Sequence, residues 1–204
     1  NMLKEMVRKN VSYLHLYNCF LESTSDADAI QAYIEKAQQD IGFVGFYFLS
    51  YDGNYMTVNG ETGYLGLQTN LDEKLADGED IVMNAALPGK AQMLVFICPE
   101  TQGSYRGFAY DAVAISYYND AVLKLLDNSA FQGNASNYVI YPDGRVVIDN
   151  SVNREKTIYN FIAMLRDYSD LSEEEILTLS DDFAQGRSGN RKVTLGDTRY
   201  YLIY

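Results

Sequence analysis

The sequence uses one phrase twice, and that repetition limits the folds open to it. The first copy spans residues 45–59 and turns at Asp52-Gly53; the second spans 136–150 and turns at Asp143-Gly144. With Gly144 laid over Gly53, Tyr138 falls on Tyr47, Ile140 on Leu49, Asp143 on Asp52 and Asn150 on Asn59. Each copy is a β-rich run, an Asp-Gly pair and a second β-rich run. Asp-Gly favours a hairpin turn because Gly reaches positive φ without a Cβ clash. Two such hairpins with matching flanks predict two modules of one kind.

A second correspondence, at a different offset, sets residues 89–97 against 196–204. The second module therefore carries longer helices between its hairpins. Module one continues with an aromatic, apolar run over 104–115, whereas module two stops at Tyr204. Module two is expected to lack its last strand, which leaves an unpaired apolar edge. The natural chain is expected to continue past it.

A length of 204 residues fits one large domain or two domains near 100 residues each. Eighteen Tyr and nine Phe, with no Trp, favour strands. A net charge of −12 argues against nucleic acid and against anionic lipid, both of which call for Lys and Arg. Cys19 and Cys98 form no Cys-x-x-Cys pair and no disulfide framework. Both are expected as buried free thiols. No signal peptide and no apolar run long enough for a membrane span occurs in the sequence.

Along the chain, Leu3, Val7, Asn10, Leu14, Tyr17 and Leu21 share one helical stripe. The stripe either packs on its own domain or forms a dimer helix with Asn10 as a polar register pin. A second helix starts at the Ser25-Asp26 cap and ends at Gly42. After the first hairpin come a Gly-rich stretch around a short helix at 71–76, strands over 81–87 and 91–98, and the strand over 104–115. A linking helix is expected over 117–126. Helices follow over 158–168 and 170–183, the latter with Ser172 as N-cap and Glu175 as its capping-box partner. The last strands are expected over 192–195 and 199–204, turning at Gly196-Asp197. The predicted fold class is α+β: N-terminal helices over 1–42, a PAS-like module over 43–116, a linker over 117–133 and a smaller PAS-like module over 134–204, each module an antiparallel sheet flanked by helices.

The sequence offers little catalysis. There is no Gly-x-Ser-x-Gly elbow, His-Glu-x-x-His helix or phosphate loop. The one histidine, His15, reads as a surface or packing residue of the first helix. The acidic groups at 72–73 and 77–80 lack the alternating ligands and central Gly of a calcium loop, so they read as solvated, and no metal site and no cofactor is expected. Asn10-Val11-Ser12 and Asn134-Ala135-Ser136 match a glycosylation triplet that is common by chance.

A small-molecule pocket is the remaining candidate. In a strand over 104–115, Tyr105, Gly107, Ala109 and Asp111 share one face, and the small residues leave room beside an acid and a tyrosine. Phe96 lies with Leu94 and Cys98 on the neighbouring strand, and Tyr47 with Phe43 and Leu49 on the first. The competing reading is that Asp111 caps the linking helix or pairs with an arginine.

The order of helix, Asp-Gly hairpin, second hairpin, final strand, linking helix and shorter copy resembles the double Cache sensor domains, PAS-like extracytoplasmic modules of bacterial receptors. The phrases at 54–61, 94–99 and 136–140 resemble the sensor regions of Firmicutes diguanylate cyclases and hybrid histidine kinases. The resemblance covers about residues 30–204. It implies a ligand-binding distal module, anchoring by membrane helices outside this sequence, and transmission to a cytoplasmic output domain. It implies no enzymatic activity for these residues themselves. It also sets Asp111 where amino-acid-binding members hold the ligand amine. The Arg-x-x-Trp-Tyr phrase of those members is missing here, so the ligand class stays open. The alternative is a ligand-free interaction or dimerisation module, with a homodimer formed through the first helix.

Overall fold

A computed structural model describes residues 2–65, 71–86, 92–119, 122, 135–150 and 158–204. The chain divides into two compact units, Asn1–Leu125 and Leu126–Tyr204.

The first unit opens with α1 (Met2–Ser23) and α2 (Ala27–Ile41). The Asp26 carboxylate caps α2 by accepting from the Asp28 and Ala29 amides, and Gly42 closes it. The strands are β1 (Gly45–Leu49), β2 (Asn54–Thr57), β3 (Thr62–Tyr64), β4 (Ile81–Ala86), β5 (Gln92–Tyr105) and β6 (Phe108–Tyr118), with the short α3 (Leu71–Ala76) before β4. They form one antiparallel six-stranded sheet in the order β3-β2-β1-β6-β5-β4. The sequence reading missed β3, whose three residues sit inside the Gly-rich stretch.

Both faces of this sheet's inner strands, β1, β6 and β5, are buried. On one, Phe46, Phe48, Leu94, Phe96, Val113 and Tyr117 pack under the helices, whose Leu14, Tyr17, Leu21, Ile30 and Ile34 are buried. The Tyr17 ring meets Phe43 and Phe46 edge-on. From Asn10 to Leu21 the stripe of α1 is therefore spent within the chain, Leu14 being fully buried. Asn10 is not left as an intermolecular pin, because its Oδ1 accepts a 2.6 Å hydrogen bond from the Tyr117 hydroxyl. Of the two thiols expected to be buried, Cys98 is; Cys19 lies on the outer side of α1 and is exposed.

The second unit contains β7 (Asn137–Ile140), β8 (Val146–Asn150), α4 (Phe161–Tyr168), α5 (Glu173–Ala184), β9 (Asn190–Leu195) and β10 (Thr198–Ile203). In place of one expected sheet, the described residues give two two-stranded ladders, β7-β8 and β9-β10. Single bridges, Arg145 to Asn160 and Ser169 to Leu195, tie each ladder to the segments around α4. Phe161, Ile162 and Leu165 of α4 meet Ile176 and Leu179 of α5, Val146 and Val193 in the core. Asn160 caps α4, accepting from the Ala163 amide at 2.9 Å. The Ser172–Glu175 capping box opens α5 as the sequence predicted.

The repeated phrase is repeated in its hydrogen bonds. The Ser50 amide donates to Asn54 O at 2.9 Å and the Gly53 amide to Ser50 O at 2.9 Å. In the second copy the Tyr141 amide donates to Arg145 O at 2.8 Å and the Gly144 amide to Tyr141 O at 2.9 Å. Gly53 and Gly144 hold φ of 88° and 84°, a conformation that side chains with a Cβ resist.

Two expectations for the centre of the chain are corrected. The strand over 104–115 is the junction of two strands: β5 runs on to Tyr105, a two-residue turn at Arg106-Gly107 follows (φ 48° and 83°), and β6 begins at Phe108. The linking helix over 117–126 loses Tyr117 and Tyr118 to β6; of its remainder Asn119 and Val122 are described, both helical, and the rest lies outside the described residues. The expected turn at Pro88-Gly89 also lies outside them. Among the described residues no helix is long and apolar enough to cross a membrane.

Candidate functional site

The six residues singled out in the sequence occupy three places in the first unit. Phe96 and Tyr105 are buried on the helix side of the sheet. The Tyr105 ring stacks on Phe48 with centroids 4.2 Å apart, and its hydroxyl donates to Val58 O at 2.8 Å. Gly107 and Ala109 are exposed around the β5–β6 turn, so Gly107 floors no pocket. Asp111 is half-buried, and its carboxylate accepts the Tyr51 amide at 3.1 Å, bracing the loop of the first Asp-Gly hairpin. Among the described residues this backbone amide stands in place of the arginine alternative, while the helix of the cap alternative lies mostly outside them. Tyr47 lies on the opposite face of the sheet from Phe96, with Leu49, Val95 and Ile97.

That opposite face has a definite shape. β6 is one of the two central strands, and its register puts Ala114 between Tyr47 and Ile97, and Ser116 between Gly45 and Val95. Ala112 stands beside Leu49. The middle of the face is thus a row of small side chains with larger ones on either flank. Leu75 of α3, together with Leu65, packs over it. Its buried polar pair is Tyr47 Oη and Ser116 Oγ, 3.1 Å apart. Gly45 leaves the room in which the Tyr47 ring lies, since a Cβ there would run into the phenol. Burial pushes the Tyr47 hydroxyl above its ordinary range, outweighing the Ser116 hydrogen bond, so the phenol stays neutral at physiological pH. A neutral phenol and a serine hydroxyl can each donate and accept, which suits orientation of a polar group on a small molecule that is otherwise apolar.

Sequence reasoning reached Tyr47 but missed Ala112, Ala114 and Ser116. Period-two alternation carried on to Tyr118 would have found them.

On the helix side, a polar cluster lies in the apolar layer in addition to the Asn10–Tyr117 pair. Asn18 of α1 donates to Pro99 O at 3.1 Å and to Cys98 Sγ at 3.5 Å. Cys98 Sγ is 3.4 Å from His15 Nδ1, and His15 Nε2 is 3.1 Å from Asp80 Oδ2. Burial, reinforced by Asp80, holds the Cys98 thiol protonated. Glu100 is half-buried alongside; burial, with Glu22 adding to it, pushes its carboxyl up to about 7.

The fold has clear relatives among solved structures. Over its whole length the chain superposes on 84% of the extracellular domain of mmHK1S-Z3, a protein described as a histidine kinase, with a TM-score of 0.64 at 13% identity. It matches the periplasmic sensory domain of the Campylobacter jejuni chemoreceptor Tlp1 with a TM-score of 0.59 at 10% identity, covering 99% of this chain and 88% of that one. It also matches the ligand-binding domain of the Pseudomonas aeruginosa amino-acid chemoreceptor PctC, in complex with GABA, with a TM-score of 0.56 at 11% identity, covering 98% and 90%. No protein-family model matches the chain, and no curated protein does. The molecule has the fold of extracellular and periplasmic sensor domains, the architecture that the resemblance to double Cache modules implies.

Proposed function

We propose that these 204 residues are the extracytoplasmic sensor domain of a bacterial membrane receptor. The first unit binds a small ligand on the sheet face around Tyr47 and Ser116, and occupancy biases an output domain elsewhere in the protein, of the histidine kinase or diguanylate cyclase kind. Anchoring would come from membrane segments outside this sequence. The observation that carries the reading is the buried Tyr47–Ser116 pair in an otherwise apolar face, above a row of alanines, in a chain with a sensor-domain fold from end to end. The ligand that suits this face is small and mostly apolar, with one hydrogen-bonding group. A rival dimerisation-helix reading needs the stripe of α1 to be free, and Leu14, Tyr17 and Leu21 are buried in the first unit instead.

A thermal-shift screen of the chain against amino acids, carboxylates, amines and nucleobases tests this, since a ligand of the folded state alone raises the melting temperature. The expected result is a hit that Tyr47→Phe and Ser116→Ala weaken and Asp111→Ala spares. A hit that only Asp111→Ala abolishes would move the ligand to the β5–β6 turn. A blank screen would favour a module that works by protein contact.

A further inference from the structure

We propose that His15, Asp80 and Cys98 form a binding site for a divalent transition-metal ion, zinc by its ligand set, that clamps α1 onto the sheet. The three residues come from three parts of the first unit: the middle of α1, the segment just before β4, and β5. Their ligating atoms all lie within 4.8 Å of one another. A tetrahedral zinc with ordinary bond lengths sets neighbouring N, O and S ligands about 3.3–3.6 Å apart. The observed spacings bracket that range: 3.1 Å from His15 Nε2 to Asp80 Oδ2 and 3.8 Å from His15 Nε2 to Cys98 Sγ. The third edge, between Asp80 and Cys98, is held within 4.8 Å, and the side chains free to adjust around an ion are those at the surface, His15 and Asp80.

The donor chemistry selects the metal. One thiolate, one imidazole and one carboxylate make a mixed soft-to-hard set that suits zinc and excludes calcium and magnesium, which take oxygen ligands. The thiolate and the carboxylate together offset the charge of a divalent ion. As the metal–sulfur bond forms, the thiol proton leaves to solvent. Cys98 is fully buried, whereas the His15 side chain is 57% exposed and that of Asp80 is 32% exposed. A cation can thus enter from the solvent side, and water can complete the tetrahedron. The same burial argues against a Cys–His–Asp nucleophile, because a substrate could not reach the sulfur.

A second observation points the same way. Asn18 is 9% exposed; its amide N–H contacts Cys98 Sγ, while its Oδ1 is buried with no hydrogen-bond partner. Glu100 Oε2, two residues beyond Cys98, is also buried with no partner. Buried acceptors without donors call for an explanation. Two of them around a His–Asp–Cys cluster are answered by a cation and its bound water.

The test uses the full chain, freed of metal by chelator. Titration with Co2+ should produce a thiolate-to-cobalt charge-transfer band that saturates at one equivalent, and Zn2+ should abolish it. His15→Ala and Cys98→Ala should each weaken Zn2+ binding by at least about 100-fold, and Asn18→Ala, which acts through the thiolate, by about 10-fold. Zn2+ should raise the melting temperature of the wild type and leave that of His15→Ala unchanged; His15 is exposed, so this variant folds without the ion. Absence of the band in the wild type overturns the proposal. So does equal Zn2+ affinity in wild type and His15→Ala, which would assign the cation to the acidic surface.

Discussion

Asn10 and Tyr117 show how one buried pair can take a residue out of a role its sequence position suggests. The hydrogen bond joins α1 to β6 inside an apolar layer, where an unpaired hydroxyl or amide is costly. Asn10→Leu should destabilise the first unit by about 1–3 kcal/mol in denaturant titration, and Tyr117→Phe by a similar amount. The double variant should cost less than the sum of the two, since neither partner is then left unsatisfied. Additive costs would mean that the pair does not interact. Gly107 is the opposite case. A Cβ there would meet nothing within 4 Å, so Gly107→Ala crowds no core. Its cost comes from the backbone, φ being 83°, and should be about 1 kcal/mol with ligand binding unchanged. The pocket expected over 105–111 rested on reading Arg106-Gly107 as strand. Nothing local warned otherwise, because Arg106 is a non-glycine residue at positive φ.

Among the elements, those specified locally were legible in the sequence. The Asp-Gly hairpins, the Asp26 cap and the Ser172–Glu175 capping box each depend on residues a few positions apart, and each stands where the spacing put it. What tertiary structure decides was not legible: the face of the sheet met by α1, the length of β5, and the pairing of β3. The acid sensitivity of the second unit belongs at this scale. Asp170 is held below its ordinary range by hydrogen bonds from Thr194, Glu175 by the Ser172 amide and hydroxyl, and Asp182 by Tyr204 and then Arg187. A carboxylate whose folded value lies below its unfolded one stabilises the fold above the unfolded value, about 4, and ceases to as pH falls through the folded value. The melting temperature of the second unit should be level from about pH 7 to about pH 5 and fall below about pH 4. A level profile down to about pH 3 would show that these bonds do not contribute. Ser172→Ala should remove about 1 kcal/mol by itself.

At the scale of the molecule, two units with separate cores predict separable stability. Leu165→Ala in the core of the second unit should cost about 2–5 kcal/mol there. It should leave unchanged the hydrogen-exchange protection of β5 and β6 in the first. Loss of protection in both would make the chain one cooperative block. The candidate site was half legible for a related reason. Tyr47 could be named from its strand, but Ser116 and the alanines become its neighbours only through the pairing of β1 with β6, which brings together Tyr47 and Ser116 from 69 residues apart in the chain.

The long hairpin of β5 and β6 has one more consequence. β6 supplies the small residues beside Tyr47, and at the other end of the same strand Asp111 receives the Tyr51 amide. Arg106, at the turn, reaches Gln31 of α2 at 2.7 Å, while the Tyr105 hydroxyl lies 3.4 Å from Ala27 O at the start of that helix. β6 is paired with β1 from Ala112 to Ser116, and its pairing with β5 shifts register between Pro99 and Gly103, opposite Asp111, so a slide of β6 by a fraction of a residue would be taken up at that irregularity. It would arrive as slack or tension at Asp111, where the first hairpin is fastened. The Tyr51 amide, solvent-facing but held, is then the place to listen: its exchange rate is a gauge of where β6 stands.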